Sequence, residues 1–132
     1  MYRRFYRIAF VGIGSNIVSV TDMEQSVSCS NRFLQRVFCP AEQEYCEKQS
    51  NKFRHYAGLL AVKEAVLKAL GTGRMYGSQW KHIEVIRNHS GNPEVLLHDV
   101  AKEYAEQLRV KSINISLSQT EQYATAVVSL EF

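Results

Sequence analysis

Hydrophobic and polar positions alternate in several short stretches of the chain, which predicts strands. The final third holds the clearest pair, residues 113–119 and 123–132, with the turn 118–122 between them. Two further strands are predicted in residues 81–88 and 94–97, flanking the turn Ser-Gly-Asn-Pro. An additional strand is predicted over Ile8–Gly12, and we expect the glycines of the Gly-Ile-Gly that follows to end it.

Hydrophobic residues at helical spacing predict three helices, over residues 21–38, 51–70 and 98–110. A short additional helix over residues 42–48, not counted among these three, is also expected. Thr21 or Asp22 is the expected N-cap of the first helix, and Pro40 is expected to close that stretch. Gly71 is the expected C-terminal cap of the longest helix. The predicted order β-α-α-β-β-α-β-β is typical of an α+β fold, with a mainly antiparallel sheet packed against a long central helix.

Composition indicates one ordinary globular domain. The chain has 132 residues, of which 45% are hydrophobic and 22% are charged. Hydrophobic runs are too short to cross a bilayer and the basic N-terminus is interpreted as a strand rather than a signal peptide, so we expect a cytoplasmic protein without a membrane segment. The net charge of +3 suits an acidic partner or a phosphorylated ligand, and no pattern indicates nucleic-acid binding. The three cysteines lack metal-site spacing and are expected to be reduced thiols.

Glu64 raises a chemical question, because it lies in an apolar stripe of the longest predicted helix. A buried carboxylate needs a proton, a cation or a metal ion. One interpretation is a structural ion pair with Lys68, four residues later, or with an arginine elsewhere. The other is a Mg²⁺ ligand beside a phosphate, which Lys63, Lys68 and the glycines after the helix would contact.

The sequence resembles the holo-acyl-carrier-protein synthase family. The resemblance rests on the motifs GIGSNIV, NRFLQRVFCPAE, AVKEAVLKALGTG, KHIEV, GNP and ISLSQTEQYATAVVSLE, which run through nearly the whole chain. It implies a single phosphopantetheinyl transferase domain over residues 1–132 and a homotrimer with its active sites between subunits. It also implies the reaction, in which a serine of an acyl carrier protein takes 4'-phosphopantetheine from coenzyme A and 3',5'-adenosine bisphosphate is released.

The same resemblance assigns roles to residues of this chain. Glu64 and Lys68 correspond to catalytic positions, and Glu64 with Asn16 corresponds to the Mg²⁺ ligands, with Mn²⁺ as an alternative ion. The positions that correspond to the coenzyme A site are Lys63, Lys68, Gly71, Gly73 and Gln119. The positions that correspond to the helix that meets the carrier protein are Arg32, Phe33 and Arg36.

Three residues depart from the family pattern, and each departure changes a charge. Asn16 stands where the family has a metal-binding aspartate, Gln119 where it usually has histidine, and Asp22 where it tends to have arginine. Asparagine keeps a carbonyl oxygen but loses the negative charge, and glutamine cannot become cationic. Two hypotheses follow. The first is a working transferase with a weak or altered metal site, dedicated to a specialised carrier protein. The second is a non-catalytic relative that binds a carrier protein, coenzyme A or an intact transferase subunit. A mixed trimer with such a subunit is the corresponding alternative to a homotrimer.

Overall fold

The computed structural model describes residues 12–71 and 80–132. Its elements, in chain order, are β1 (Ile13–Ser19), α1 (Val20–Cys29), α2 (Asn31–Val37), α3 (Pro40–Glu47), α4 (Lys52–Leu70), β2 (Ile83–Arg87), β3 (Pro93–Leu97), α5 (Asp99–Leu108), β4 (Ser112–Gln119) and β5 (Tyr123–Glu131). A short 3₁₀ turn, Trp80–His82, precedes β2. The predicted α+β class is confirmed.

Two antiparallel sheets flank the long helix α4. The larger has the strand order β1-β5-β4 and the smaller is the hairpin β2-β3. Small side chains of β5, Ala124 and Ala126, are buried against α4. Gly14 brings β1 even closer, because a Cβ at this position would lie 2.0 Å from the carbonyl oxygen of Ala65. The missing side chain therefore sets the distance between β1 and the helix.

The boundaries of the first elements differ from the predictions. Residues 8–11 lie outside the described part of the chain, and the described strand begins at Ile13, so the second glycine of Gly-Ile-Gly lies inside a strand and does not end one. The predicted helix over 21–38 is two helices, separated at Ser30, whose backbone is extended. The N-cap of α1 is Ser19, whose Oγ accepts a hydrogen bond from the Asp22 N–H at 3.2 Å. Pro40 is the first residue of α3, a position where its missing N–H costs nothing.

The later elements follow the predictions closely. Helix α4 ends at Leu70, and Gly71 caps it with φ 73°, in the left-handed region that glycine adopts readily. Hairpin β2-β3 and strands β4 and β5 lie where the alternation placed them. Among the described residues, no helix is long and apolar enough to span a membrane.

A fully buried ion pair joins α3, α4 and β2. Lys63 Nζ lies 2.7 Å from Glu42 Oε1, and both side chains are 0% exposed. Lys63 also donates to the carbonyl oxygens of Trp80 and Ile83. Glu42 accepts hydrogen bonds from the backbone N–H groups of Cys39 and Val85, both at 2.8 Å. Both charges are thus fully hydrogen-bonded, which offsets their loss of water.

Two of the three cysteines are shielded by this region. Burial, and then the neighbouring Glu42 carboxylate, raise the pKa of Cys39 to about 11 and that of Cys46 to about 12. Cys29, at the end of α1, is exposed. Since the thiolate is the nucleophile, the raised pKa values indicate that Cys39 and Cys46 are unreactive near neutral pH.

We predict that Lys63→Met lowers the free energy of unfolding by about 3–5 kcal/mol, because it leaves the Glu42 carboxylate buried without a cation. Urea unfolding measures the change. Lys48→Met is the control: Lys48 forms an exposed ion pair with Glu44, so its loss should cost less than about 1 kcal/mol. The double variant Glu42→Gln/Lys63→Met should recover part of the loss. Equal effects of Lys63→Met and Lys48→Met would contradict the role of the buried pair.

We also predict that iodoacetamide at pH 8 alkylates Cys29 first. A thiol with a pKa of about 11 is only about one part in a thousand thiolate at that pH, so Cys39 should react far more slowly. Peptide mass spectrometry over a time course measures the three rates, and unfolding in urea should make them alike. Modification of Cys39 in the folded protein as fast as Cys29 would contradict the prediction.

Candidate active site

Asn16, Glu64 and Lys68 meet between β1 and α4. Asn16 Nδ2 donates to Glu64 Oε2 at 2.9 Å, and Lys68 Nζ donates to Asn16 Oδ1 at 2.9 Å. Lys68 also donates to the carbonyl oxygen of Ser15 at 3.0 Å. Asn16 and Glu64 are half-buried, whereas Lys68 is exposed. Three predicted site residues, distant in sequence, thus form one polar cluster, which we call the amide-bridged cluster.

The two neighbours of Asn16 fix the direction of its amide. Its NH₂ group must face the Glu64 carboxylate, and its oxygen must face the Lys68 ammonium, because the reverse would oppose donor to donor and acceptor to acceptor. The ion pair between Glu64 and Lys68 that helical spacing suggested is therefore mediated by Asn16. Both bonds involve a charged partner, which makes them stronger than bonds between neutral groups.

The donor set of the amide-bridged cluster does not fit Mg²⁺ or Mn²⁺. Such ions need oxygen ligands, usually one or two carboxylates plus phosphate and water. Here Glu64 is the single carboxylate, an N–H group faces its Oε2, and an ammonium is bound to the amide oxygen. Within residues 12–71 and 80–132, no group of three or more His, Cys, Asp or Glu residues is placed to hold a metal ion.

Lys63 requires a correction. We predicted that its ammonium contacts coenzyme A, but its side chain is 0% exposed and is bound to Glu42 and two carbonyl oxygens. An ammonium has three N–H donors, so none remains for a phosphate. The prediction for Lys63 is therefore wrong, and the reason is that adjacent helical residues differ by about 100° in direction, which sends Lys63 inward and Glu64 towards β1.

Gly71 and Gly73, the two glycines predicted to lie at the coenzyme A site, follow α4 in the sequence. The N–H of Gly71 is used in the helix cap, where it donates to the carbonyl oxygens of Leu67 and Lys68, so it is not available to a phosphate in this conformation. Gly73 lies outside the described residues. A role of the Gly71 position near coenzyme A stays a prediction.

Gln119 lies at a cleft of about 710 Å³ beside α4. Its amide crosses the helix at Gly58, where a Cβ would lie 2.1 Å from Nε2. Gly58 precedes Glu64 by six residues, which corresponds to about 9 Å along a helix. The structure therefore brings Asn16, Glu64 and Lys68 together but leaves Gln119 further towards the start of α4.

The cleft also contains residues that the sequence analysis missed. The Arg87 guanidinium lies 4.8 Å from the centre of the Tyr45 ring, and the Tyr45 and His55 rings meet edge to face at 5.7 Å. Burial lowers the pKa of His55, and the positive charges of Arg87 and Arg54 lower it further. Arg87 thus supplies most of the positive charge of the cleft at neutral pH. Gly58, which Gln119 approaches closely, was the available signal for the position of this cleft, since a glycine inside a helix often has a packing reason.

The predicted carrier-protein residues lie on α2. Arg32 and Arg36 are exposed, which suits contact with an acidic partner. Phe33 is half-buried and meets the buried Phe38 edge to face, at 6.4 Å between ring centres. Phe33 therefore fixes α2 to the core and presents only part of its ring to solvent. Asp22 lies on the first turn of the neighbouring helix α1 and is exposed.

A larger groove, of about 890 Å³, lies elsewhere and contains none of the predicted site residues. Its histidines are adjacent to carboxylates: His98 Nε2 lies 2.9 Å from Glu84, and His82 Nε2 lies 3.8 Å from Asp99. The larger volume of this groove therefore does not identify it as the site. The predicted site residues lie in the amide-bridged cluster and at the Gln119 cleft.

Comparison with known proteins agrees with the resemblance found in the sequence. Residues 12–128 match the family model of the 4'-phosphopantetheinyl transferase superfamily. The chain is 40% identical over 122 residues to the holo-[acyl-carrier-protein] synthase of Solibacter usitatus, which covers 92% of this chain and 98% of that protein. Among solved structures it is similar to the holo-[acyl-carrier-protein] synthase of Neisseria meningitidis, with TM-score 0.83 and 25% identity. That match covers 92% of this chain and 98% of the Neisseria chain. It is also similar to the Helicobacter pylori holo-[acyl-carrier-protein] synthase in complex with coenzyme A, with TM-score 0.78 and 29% identity. That match covers 90% of this chain and 99% of the Helicobacter chain. The chain belongs to the 4'-phosphopantetheinyl transferase superfamily.

Proposed function

We propose that this chain transfers 4'-phosphopantetheine from coenzyme A to a serine of an acyl carrier protein. The observation that carries the proposal is the amide-bridged cluster, in which one amide group joins a half-buried carboxylate to an exposed lysine. Its relatives at about 40% identity are holo-[acyl-carrier-protein] synthases, and a similar structure contains coenzyme A. The proposed unit is one domain over residues 1–132.

In the proposed reaction, the serine oxygen attacks the β-phosphorus of coenzyme A. The bond from that phosphorus to the bridging oxygen breaks, and 3',5'-adenosine bisphosphate leaves with the electron pair. Glu64 has one carboxylate oxygen that Asn16 does not occupy, and this oxygen takes the serine proton and passes it to water. Within residues 12–71 and 80–132, the Lys68 ammonium donates to Ser15 and Asn16, and its third N–H stabilises negative charge on the phosphate.

The cleft at Gln119 is the proposed site for the nucleotide part of coenzyme A. Its volume of about 710 Å³ lies in the range of small-molecule sites, and Arg87 offers a planar pair of donors to a phosphate group. The amide of Gln119 can donate to the pyrophosphate but adds no charge. The Mg²⁺ and Mn²⁺ implied by the family resemblance find no fitting ligand set in the described residues, so no step is routed through them.

A homotrimer is the proposed assembly, supported by the uncovered face of the larger sheet. This face carries four apolar side chains that are 49–60% exposed, namely Ile13, Ile17, Tyr123 and Val127. The strand register places them on the side opposite α4, interleaved with serine and threonine. Contiguous apolar surface of this kind supports a contact between subunits at this face. Because Gln119 and Glu64 are separated along α4, a neighbouring subunit would complete each site.

The acidic carrier protein is the proposed macromolecular partner. Arg32 and Arg36 project from one helix and would attract it through charge. Because the reaction uses coenzyme A and a carrier protein, we propose that it takes place in the cytoplasm.

A second candidate function is favoured by the same amide-bridged cluster. Asn16 and Gln119 both replace residues that can carry charge in the family, and Asn16 already satisfies Glu64. A cluster whose carboxylate is already hydrogen-bonded would be sufficient for a chain that binds coenzyme A, a carrier protein or an intact transferase subunit but transfers nothing. Mixed trimers would then supply the missing carboxylate from the other subunit.

The transfer assay separates the two candidates. The protein is incubated with coenzyme A and several apo carrier proteins, and the mass gain of phosphopantetheine is followed by mass spectrometry. We expect transfer by the wild type, and we expect Lys68→Met and Glu64→Gln each to lower kcat/KM by about 10²-fold or more, since each removes a group that acts in the transition state. Lys48→Met, far from the cluster, is the control. Transfer undiminished in both variants would contradict the assigned roles, and no transfer by the wild type would favour the non-catalytic candidate.

The assembly is tested by size-exclusion chromatography with light scattering. We expect the wild type at three times the chain mass of 15.1 kDa and Ile17→Glu at the chain mass, because a carboxylate cannot be buried unpaired in the interface. The matched control is Leu96→Glu, an apolar residue of similar exposure, 46%, on the other sheet. A trimer that persists in Ile17→Glu, or dissociates equally in Leu96→Glu, would contradict the interface.

A further inference from the structure

We propose that the Asn16 amide, bound to both Glu64 and Lys68, takes the place beside Glu64 that a divalent cation would need, so that this chain binds coenzyme A without Mg²⁺. The coenzyme A part of this inference rests on the proposed function. The cation part rests on the amide-bridged cluster alone.

The first argument is the charge balance. Glu64 contributes one negative charge, Lys68 one positive charge and Asn16 none, so the cluster is neutral without any added ion. A divalent cation placed against Glu64 would lie close to an ammonium that is only one amide group away. Repulsion between these cations opposes binding, and a single carboxylate does not offset it.

The second argument is the direction of the amide. A Mg²⁺ site shared by Asn16 and Glu64 would need the oxygen of Asn16 turned towards Glu64, because an amide nitrogen is not a ligand for this ion. That rotation breaks the bonds at 2.9 Å to Glu64 and to Lys68 and places the NH₂ group against the ammonium. The orientation that satisfies both neighbours of Asn16 is therefore the one in which Asn16 cannot be a metal ligand.

The third argument is the rigidity of the lysine. Lys68 is held at two points of β1, by the side chain of Asn16 and by the carbonyl oxygen of Ser15. Strand β1 is itself fixed by its close approach to α4 at Gly14. The ammonium is thus positioned before any ligand arrives, and its remaining N–H can bind a phosphate oxygen without the entropy cost of ordering a free side chain.

The cation part is tested with Mn²⁺, whose binding is measured by electron paramagnetic resonance on wild type, Asn16→Asp and Asn31→Asp. Asn16→Asp replaces the N–H facing Glu64 by oxygen, which creates two adjacent carboxylates. We expect Asn16→Asp to bind Mn²⁺ about tenfold or more tightly than the wild type, a change typical of an altered metal site. Asn31→Asp, which adds the same charge on exposed α2, should match the wild type. Equal Mn²⁺ affinity in the wild type and Asn16→Asp overturns the inference.

The coenzyme A part is tested by calorimetry in EDTA and in Mg²⁺. We expect the wild type to bind coenzyme A with the same affinity in both buffers, and Lys68→Met to bind it more weakly in both. Binding by the wild type only in Mg²⁺ overturns the inference and leaves the proposed function intact. Absence of binding in both buffers instead contradicts the proposed function, and the Mn²⁺ measurement still decides the cation part.

Discussion

The buried pair of Lys63 and Glu42 is the constraint on which the candidate site depends. Lys63 is directed into the core, where Glu42 and two carbonyl oxygens hold its ammonium. This fixes the rotation of α4 about its axis, because a different rotation would leave both charges without partners. Glu64, the next residue, is then directed about 100° away, towards β1. Of the two adjacent residues, Lys63 thus stabilises the fold, whereas Glu64 belongs to the candidate site.

A second constraint is the contact between β1 and α4. Gly14, Asn16 and Val18 alternate towards the helix, and the absence of a side chain at Gly14 lets the strand approach the carbonyl oxygen of Ala65. This approach brings the Asn16 amide within hydrogen-bonding distance of both Glu64 and Lys68. The site is therefore built on a strand and a helix rather than on a loop, which favours accurate positioning of its groups.

The sequence predicts the later part of the fold well because its patterns are local. Alternation in β4 and β5, and the glycine after α4, need no tertiary information. Helical spacing and the family motif also selected Asn16, Glu64 and Lys68, which the structure brings together, and their catalytic roles stay predictions. The burial of Lys63 was not predicted, because its partner Glu42 is 21 positions away in sequence and on another helix. The break at Ser30 was missed for a related reason: serine is tolerated in a helix, and only the hydrogen bond to the Arg32 N–H reveals the new cap.

The exchange of a carboxylate for an amide at Asn16 changes more than the charge. An aspartate next to Glu64 would create repulsion that a bound cation relieves, so such a site is unsatisfied until the ion arrives. Asn16 removes that repulsion and binds both neighbours at once, so the cluster is satisfied without a ligand. A negatively charged ligand at the cluster then meets a lysine whose charge Glu64 partly offsets. Arg87, in the separate Gln119 cleft, is the cation proposed for the nucleotide phosphates. Under the proposal of coenzyme A binding without Mg²⁺, phosphate recognition would thus rest on the cationic side chains of the protein and not on a metal ion.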